Sequence, residues 1–357
     1  MSTDQDFETY PLGDWKLQSG ETIPNAHIAY KTFGDPSLPA IVYPTWFSGH
    51  IENNLWLIGE DKELSPKKYF IIIPALFGNG QSSSPSNTPA VKPFPRVSFY
   101  DNVRAQHELV TKHFGITHLR AVLGWSMGAA QTFQWAAQYP DFMDAIAPFC
   151  GSAKTSIHNQ AMLEGIKSTL LAAKGFNSKT GEIGVSSDSG SYKGWTPQER
   201  EVGLKAFGRA YSGWGFSQAF YREKLHETAL GYKSLEDFLE RFWEPLFGSR
   251  DPENLVTMLQ TWQNGDISQQ KPYNGDFEEA LKGIKAKALV LPSKTDLYFP
   301  PEDSEYEVAN MQLGVGTLDV YPSIWGHWAG GPGGSPDDVK WLNDRLVSLL
   351  QSATAQE

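Results

Sequence analysis

The sequence predicts an α/β protein in which a mostly parallel sheet carries helices on both faces. Three observations predict this class. Short apolar runs alternate with segments of helical periodicity along most of the chain. This alternation stops near residue 155 and returns near residue 278. A glycine-rich pentapeptide at residues 124–128 joins an apolar run directly to a helical segment. Parallel strands need crossovers that span the sheet, and the helical segments supply them.

The first part of the chain predicts an antiparallel start followed by buried parallel strands. Turn residues around Gly20 and Pro24 separate two short extended segments, residues 15–18 and 27–32. Apolar runs typical of buried strands follow at residues 40–44, 69–74, 118–124 and 145–149. Helical spacing of apolar residues predicts helices over residues 100–114 and 128–139.

The region from residue 155 to residue 277 is mostly helical and carries no strong strand signal. Helices are predicted there over residues 160–173, 196–211, 217–228, 235–242 and 254–264. Strands return at residues 286–292 and 316–321, and helices at residues 301–311 and 336–351. We therefore expect a core domain, residues 1–154 and 278–357, and a helical lid, residues 155–277, inserted after the sixth strand region.

Charge and composition exclude several functional classes. The net charge is −11 and the pI is near 5.3, whereas nucleic-acid binders and proteins held on anionic membranes need a basic surface. No apolar run approaches the roughly 18 residues of a membrane span. The chain starts without the basic and apolar stretches of a secretory signal, and its one cysteine, Cys150, allows no internal disulfide. We expect a cytoplasmic protein that binds neither nucleic acid nor membranes.

The pentapeptide Gly124-Trp125-Ser126-Met127-Gly128 is the most informative motif in the chain. It has the pattern G-x-S-x-G with an apolar strand before it and a helix after it, which is typical of the nucleophile turn in the α/β-hydrolase fold. Small residues on either side let the strand pass straight into the helix and leave the serine hydroxyl accessible. We therefore predict that Ser126 is a nucleophile and that the Met127 amide N–H binds an oxyanion.

A serine hydroxyl needs a base near pKa 7, and histidine is the expected partner. Among eight histidines, His327 is favoured because it lies in a glycine-rich loop after the last predicted strand. Loops at the carboxyl edge of such a sheet line the ligand crevice. His50 and His158 are the main alternatives.

The histidine in turn needs an acceptor that fixes its tautomer. Asp296 follows the strand at residues 286–292 in a mostly uncharged loop, and the order Ser126, Asp296, His327 matches the chain order of this fold. Asp303 and Asp266 are alternatives. The second oxyanion donor is expected from the loop after the strand at residues 40–44, where we favour the Trp46 amide N–H.

These motifs resemble the homoserine O-acetyltransferase family and its esterase-like relatives, over roughly residues 30–350. Besides the pentapeptide, the resemblance rests on Gln134-Trp135-Ala136 with Tyr139-Pro140, and on the segments 78–86, 232–242, 296–301 and 326–330. It implies a helical lid, a homodimer packed through that lid, a covalent acyl-serine intermediate and no metal. The predicted substrate-binding residues are Trp46, Phe47, Trp125, His158, Asn159, Tyr298 and Trp328.

Two departures separate this chain from the acetyltransferases. The family's arginine, which grips the amino-acid carboxylate in a stretch resembling Asn-x-x-x-Arg, corresponds to Leu163 in Asn159-Gln160-Ala161-Met162-Leu163. A leucine cannot bind a carboxylate. The loop at Trp46 and Phe47 is also bulkier than the family's version. Both changes point away from homoserine and toward a less polar acyl or alcohol group.

Three functions stay open at the level of sequence. The first is a hydrolase of an ester, lactone or thioester that works through an acyl-Ser126 intermediate without a cofactor. The second is an O-acyltransferase that uses acetyl-CoA as co-substrate and a non-homoserine alcohol as acceptor. Both need the same residues, because they differ only in whether water or the alcohol reaches the acyl-enzyme. The third is a non-catalytic binding protein, and the fold also supports carbon–carbon bond hydrolysis.

Overall fold

The computed structural model describes residues 6–174, 194–332 and 334–353. Eight strands form one sheet in the order β1-β2-β4-β3-β5-β6-β7-β8 within this part of the chain. The first pairings, β1 with β2 and β2 with β4, are antiparallel, and the others are parallel. The strands are β1 Glu8–Lys16, β2 Thr22–Phe33, β3 Ala40–Val42, β4 Phe70–Pro74, β5 Leu119–Trp125, β6 Met143–Phe149, β7 Lys287–Val290 and β8 Gly316–Leu318.

The sheet is buried on both faces at its centre, which explains the continuous apolar runs of its strands. Every residue of β5 is buried. Along β4, Phe70 and Ile72 pack into the apolar cluster on one face, while Ile71 and Ile73 pack into the cluster on the other. This period of two needs cover on each side of the sheet, and it confirms the predicted α/β class with helices on both faces.

Helices of the core cover the two faces of the sheet, and seven α-helices among the described residues fall within the predicted lid, residues 155–277. In the core, α1 is Phe99–Glu108, α2 Met127–Gln138, α10 Phe277–Lys282, α11 Pro301–Ala309 and α12 Pro336–Ala353. In the lid, α3 is Ile157–Ala172, α4 Pro197–Gly215, α5 Gln218–Arg222, α6 Leu225–Thr228, α7 Leu235–Phe238, α8 Glu244–Gly248 and α9 Pro252–Gln263. Residues 175–193 of the predicted lid lie outside the described residues.

The structure differs from the sequence-based expectation at four places. The first strand begins at Glu8, well before residue 15, because β1 is an edge strand with mostly exposed side chains and a weak apolar pattern. The helix expected over residues 217–228 is divided into α5 and α6 at Lys224, which has a φ of +53°. The helix expected over 235–242 is α7, followed by a π-helical turn, Leu239–Trp243. Helix α10 was not predicted, and Asp276 caps its first turn.

Lid and core share one apolar cluster. Lid side chains such as Phe207, Tyr211 and Trp243 pack in the same cluster as Tyr298 and Trp328 of the core. Among the described residues, none of the helices combines the length and the apolar character that a bilayer crossing requires.

Candidate active site

Ser126 occupies a strained turn between β5 and α2. Its backbone has φ 59° and ψ −123°, a combination that costs energy for any residue with a side chain. A Cβ on Gly124 would lie 2.4 Å from the carbonyl carbon of Gly128, and a Cβ on Gly151 would lie 2.5 Å from the Ser126 carbonyl oxygen. The turn therefore depends on glycines that let three backbone segments approach one another, and it places Ser126 at the carboxyl edge of the sheet.

Ser126, His327 and Asp296 form one hydrogen-bonded line. The distance between Ser126 Oγ and His327 Nε2 is 2.9 Å, and that between His327 Nδ1 and Asp296 Oδ2 is 2.7 Å. The three residues are 2%, 2% and 6% exposed. The backbone N–H groups of Tyr298 and Phe299 both donate to Asp296 Oδ1 at 3.1 Å. These bonds orient the carboxylate so that its second oxygen faces the imidazole, which holds Nδ1 protonated and leaves Nε2 to accept from the serine.

The imidazole of His327 is held between aromatic rings. Trp125 stacks on it with ring centroids 4.8 Å apart, and Tyr298 lies at 4.5 Å. Trp125 also donates its indole N–H to the His327 carbonyl oxygen at 3.0 Å. His327 belongs to a short 3₁₀ turn, Gly326–Trp328. A Cβ on Gly326, which has a φ of +66°, would lie 2.6 Å from the Ser217 nitrogen of the lid. The backbone of the predicted lid thus packs directly against the turn that carries His327.

Two backbone N–H groups, one directly after Ser126 and one in the loop after β3, are the candidates to bind an anion. Met127 is the first residue of α2, and Trp46 follows β3 in a loop that contacts the serine turn. A Cβ on Gly128 would lie 3.0 Å from the Pro44 carbonyl oxygen of that loop. In the part of the chain that the structure describes, neither the Met127 nor the Trp46 N–H donates to a protein acceptor. Unpaired donors beside a nucleophile are suited to stabilising an oxyanion.

The alternatives left open by the sequence lie elsewhere or are engaged with other groups. His50 contacts the Asn79 carbonyl oxygen and Arg250, each at 3.2 Å. Asp266 pairs with Lys154 at 3.0 Å. Asp303 lies on α11, where burial raises the pKa of its carboxyl group. The structure therefore joins only His327 and Asp296 to Ser126 among these alternatives.

His158 does not reach the site to which the sequence assigned it. It is exposed on the outer surface of α3, and its ring packs edge-on against Trp214 at 5.8 Å. The side chain one position later points inward instead. Asn159 is fully buried and donates its amide N–H to the Tyr298 carbonyl oxygen at 2.8 Å. The helical twist of α3 separates these two neighbours, and a sequence without known helix orientation does not show which of them faces the core.

The remaining predicted pocket residues form a buried aromatic wall. Trp46 lies 4.8 Å and Trp328 5.4 Å from Trp125, both edge-on. Phe47 stacks on Tyr211 of α4 at 6.1 Å. Tyr211, which the sequence did not single out, also places its hydroxyl oxygen 3.2 Å from that of Tyr298. A tyrosine inside a predicted amphipathic helix gives no signal that it contacts a distant loop.

Leu163 is fully buried in the apolar cluster shared by lid and core. An alkyl side chain thus occupies the sequence position where the resemblance to the acetyltransferases implies a carboxylate-binding arginine. Within residues 6–174, 194–332 and 334–353, no group of three or more His, Cys, Asp or Glu side chains is arranged to hold a metal ion.

Comparisons with known proteins identify both the fold and a group of similar enzymes. The model of the alpha/beta hydrolase fold family matches residues 47–319. A probable esterase of Corynebacterium glutamicum is 36% identical over 331 residues, which cover 90% of this chain and 89% of the relative. The ethyl acetate hydrolase of Pseudomonas veronii is also 36% identical, over 83% of this chain and 82% of the relative.

Similarity extends to solved structures and, at lower identity, to acetyltransferases. The structure of the acetyl esterase MekB has a TM-score of 0.87 and 34% identity, and covers 97% of this chain and 96% of its own. The homoserine O-acetyltransferase of Trichormus variabilis is 24% identical over 95% of this chain and 92% of its own length. The esterases are therefore more similar to this chain than this acetyltransferase, in agreement with the resemblance to the esterase-like branch. The family match over most of the chain, with Ser126 placed between β5 and α2, shows that the protein belongs to the α/β hydrolase fold family.

Proposed function

We propose that this protein is a serine esterase that hydrolyses esters of short acyl groups, acetyl in particular, with small uncharged alcohols. The observation that carries the proposal is the line of hydrogen bonds from Ser126 through His327 to Asp296, at 2.9 and 2.7 Å. Such a line is the arrangement that turns a serine hydroxyl into a nucleophile at neutral pH. No cofactor takes part in this reaction.

In the first half of the reaction, Ser126 Oγ attacks the ester carbonyl carbon while its proton passes to His327 Nε2. The carbonyl double bond opens to an oxyanion, which accepts hydrogen bonds from the Met127 and Trp46 N–H groups. Asp296 stabilises the imidazolium that forms. The oxyanion then collapses, the bond to the alcohol oxygen breaks, and His327 returns the proton to the departing alcohol.

In the second half, water takes the place of the alcohol. His327 removes a proton from the water as its oxygen attacks the acyl carbon, and a second oxyanion forms in the same position. Its collapse breaks the bond to Ser126 Oγ, which recovers its proton from His327. The products are the free acid and the unchanged enzyme.

The surroundings of Ser126 favour small and uncharged substrates. The residues around the serine are buried and mostly aromatic, so a charged group would lose its hydration without gaining a partner. Leu163 offers no cation for a carboxylate. The two curated relatives at 36% identity are named as an esterase and an ethyl acetate hydrolase. These observations together support a short neutral ester over homoserine.

Hydrolysis is favoured over acyl transfer. Transfer requires a bound acceptor alcohol that outcompetes water at the acyl-enzyme, and the family's acceptor-binding arginine is replaced by Leu163.

We also propose that residues 155–277 act as the lid. Ser126 is 2% exposed, and the proposed lid would open to admit substrate.

The predicted homodimer through the lid and the cytoplasmic location stay predictions. Three exposed apolar residues on lid helices support the dimer: Ile157, Val202 and Leu235, with exposures of 84%, 53% and 50%. Sedimentation analysis of the purified protein would measure its association state.

The test of function uses Ser126→Ala with Ser293→Ala as the matched control, since Ser293 is another buried serine at the carboxyl edge of the sheet. The wild type should hydrolyse ethyl acetate and p-nitrophenyl acetate. Ser126→Ala should lose on the order of 10⁶-fold in kcat, while Ser293→Ala stays within about threefold. Acetyl-CoA with added alcohols should give no transacetylated product. Full activity of Ser126→Ala would reject the nucleophile, and preferential ester synthesis from acetyl-CoA would reject hydrolysis.

A further inference from the structure

Arg250 links the lid to the loop that carries the Trp46 amide. It lies between α8 and α9, at the point where the lid approaches the loop after β3. Its guanidinium donates Nε–H to the Ser48 carbonyl oxygen at 2.7 Å and Nη2–H to Asn53 Oδ1 at 3.1 Å. A third contact joins Nη1 to His50 Nδ1 at 3.2 Å. The three contacted residues lie within one six-residue segment of the core, residues 48–53.

Of the three residues that Arg250 contacts, Ser48 lies closest in sequence to Trp46, whose N–H is the proposed oxyanion donor. Ser48 is 2% exposed and has a φ of +60°, a strained conformation for a residue with a side chain. The next residue, Gly49, closes a turn by donating its N–H to the Trp46 carbonyl oxygen at 2.9 Å. The Trp46 peptide and the Ser48 carbonyl therefore belong to one tight turn. A hydrogen bond that fixes the Ser48 carbonyl group therefore also restrains the backbone of Trp46.

His50 also contacts other groups of the core. Its Nε2 lies 3.2 Å from the Asn79 carbonyl oxygen. Its Nδ1 lies 3.2 Å from Arg250 Nη1 and 3.2 Å from Glu52 Oε1. The hydrogen bonds that Arg250 donates whatever the tautomer of His50 are those to the Ser48 carbonyl oxygen and Asn53 Oδ1.

The charges around Arg250 also fit an anchoring role. Burial lowers the pKa of the guanidinium, and the nearby Glu52 carboxylate acts against this shift. A half-buried cation that donates to two groups of one segment and contacts a third is a directional anchor. Phe47 adds an apolar anchor to the same loop, because it packs against Phe207, Phe247 and Trp262 of the lid.

We propose that Arg250 is a positioning residue, which acts through Ser48 to hold the Trp46 N–H where the oxyanion forms. The proposal rests on the proposed function, since it needs Trp46 as an oxyanion donor. It adds that the lid takes part in transition-state stabilisation as well as in covering the site. When the lid leaves the loop, the anchoring bonds break and the donor loses its support. Efficient catalysis is thereby restricted to the closed enzyme.

The experiment compares an ester with its thionoester, p-nitrophenyl acetate with p-nitrophenyl thionoacetate. Sulfur is a larger and weaker hydrogen-bond acceptor than oxygen, so a well-placed oxyanion donor favours the oxygen ester. Arg250→Met removes both donated bonds and the His50 contact while keeping a side chain of similar length, and Arg250→Lys keeps the charge without the planar set of donors. Arg209→Met is the control, because Arg209 also lies in the lid but pairs with Glu236 and Glu244 of the lid itself.

A lost oxyanion donor costs about 10²–10³-fold in kcat, and a misplaced one should cost less. We expect Arg250→Met to lower kcat/KM for the ester by roughly 10- to 100-fold and for the thionoester by much less. The ester-to-thionoester ratio should fall accordingly, with Arg250→Lys in between and Arg209→Met equal to wild type. Circular dichroism and thermal unfolding would establish that each variant is folded.

Three results would overturn the proposal. The first is a folded Arg250→Met enzyme that keeps the wild-type ratio, whether or not its overall rate falls, since a structural role lowers both rates equally. The second is a fall in the ester-to-thionoester ratio of the Arg209→Met enzyme. The third is failure of both Arg250 variants to fold, which would make the residue a stability element. None of these results affects the loss of activity expected in Ser126→Ala, so a failure here is distinct from a failure of the proposed function.

Discussion

The Asp296→Asn substitution tests the hydrogen-bonded line because its outcome follows from the surrounding donors. Asp296 Oδ1 accepts the Tyr298 and Phe299 N–H groups, both at 3.1 Å. An asparagine must keep its carbonyl oxygen on that side. The flipped orientation would set its NH₂ group against two donors and lose two buried hydrogen bonds, at roughly 1–3 kcal/mol each. The NH₂ group therefore faces His327.

An NH₂ group at 2.7 Å from His327 Nδ1 can only donate. The imidazole must then accept at Nδ1 and carry its proton on Nε2, which faces Ser126 and can no longer take the serine proton. In serine-hydrolase triads this wrong tautomer costs on the order of 10⁴-fold in kcat. The loss corresponds to about 5.4 kcal/mol of transition-state stabilisation, with KM changing little because substrate contacts stay in place.

The assay is steady-state hydrolysis of p-nitrophenyl acetate near neutral pH, with Asp303→Asn as the matched control. Asp303 Oδ2 is buried and has no hydrogen-bond partner among the described residues, so its substitution makes the same chemical change away from His327. The control should keep its rate within about threefold. A folded Asp296→Asn enzyme with more than a tenth of wild-type kcat would refute the reasoning.

Two further substitutions test the buried surroundings of the site. Glu307 is buried, which raises the pKa of its carboxyl group well above the ordinary 4.5. The Glu307→Gln variant removes this titration but keeps a side-chain oxygen that can accept from the Ala153 N–H, as Glu307 does at 2.5 Å. The folded wild type holds the proton that the unfolded chain releases, so its free energy of unfolding should fall as pH rises above about 4.5, by up to about 1.4 kcal/mol per unit. Urea unfolding should show Glu307→Gln more stable than wild type at pH 8 and equal at pH 4, and equal pH slopes would contradict this. Gly151→Ala places a Cβ 2.5 Å from both the Ser126 carbonyl oxygen and Ala129 Cβ, so it should cost about 1–3 kcal/mol of stability and lower kcat. Gly165→Ala on α3 is the control, because a Cβ there meets nothing within 4 Å, and it should be neutral or stabilising. A Gly151→Ala enzyme as stable as this control would contradict the close approach of Gly151 to Ser126 and Ala129.

The sequence predicted the site best where backbone geometry restricts the residue type. Gly124 and Gly128 flank Ser126 because no larger side chain fits the turn, and this restriction is readable along the chain. Asp296 and His327 each follow a strand, and the carboxyl ends of parallel strands meet at one edge of the sheet. That rule brings residues distant in sequence together without knowledge of the packing.

Prediction failed where orientation or long-range packing decides. His158 and Asn159 are neighbours in sequence, and only the rotation of α3 against the core determines that one is exposed and the other buried. Arg250 gave no signal, because a single arginine between two helices is common on protein surfaces. Strand β1 was predicted too short, since an edge strand with polar side chains lacks the alternation that burial imposes.

The sequence by itself determined the α/β class, the turn at Ser126 and the order of the three residues that meet there, because these depend on local sterics and on the periodicity of apolar residues. The tertiary structure decided which histidine faces the serine, how two backbone N–H groups fix the orientation of Asp296, and which lid residues touch the loop at Trp46. These features are distances of about 3 Å between segments as much as 202 residues apart in sequence. Such distances are set by the packing of the lid on the sheet, and no local pattern encodes them.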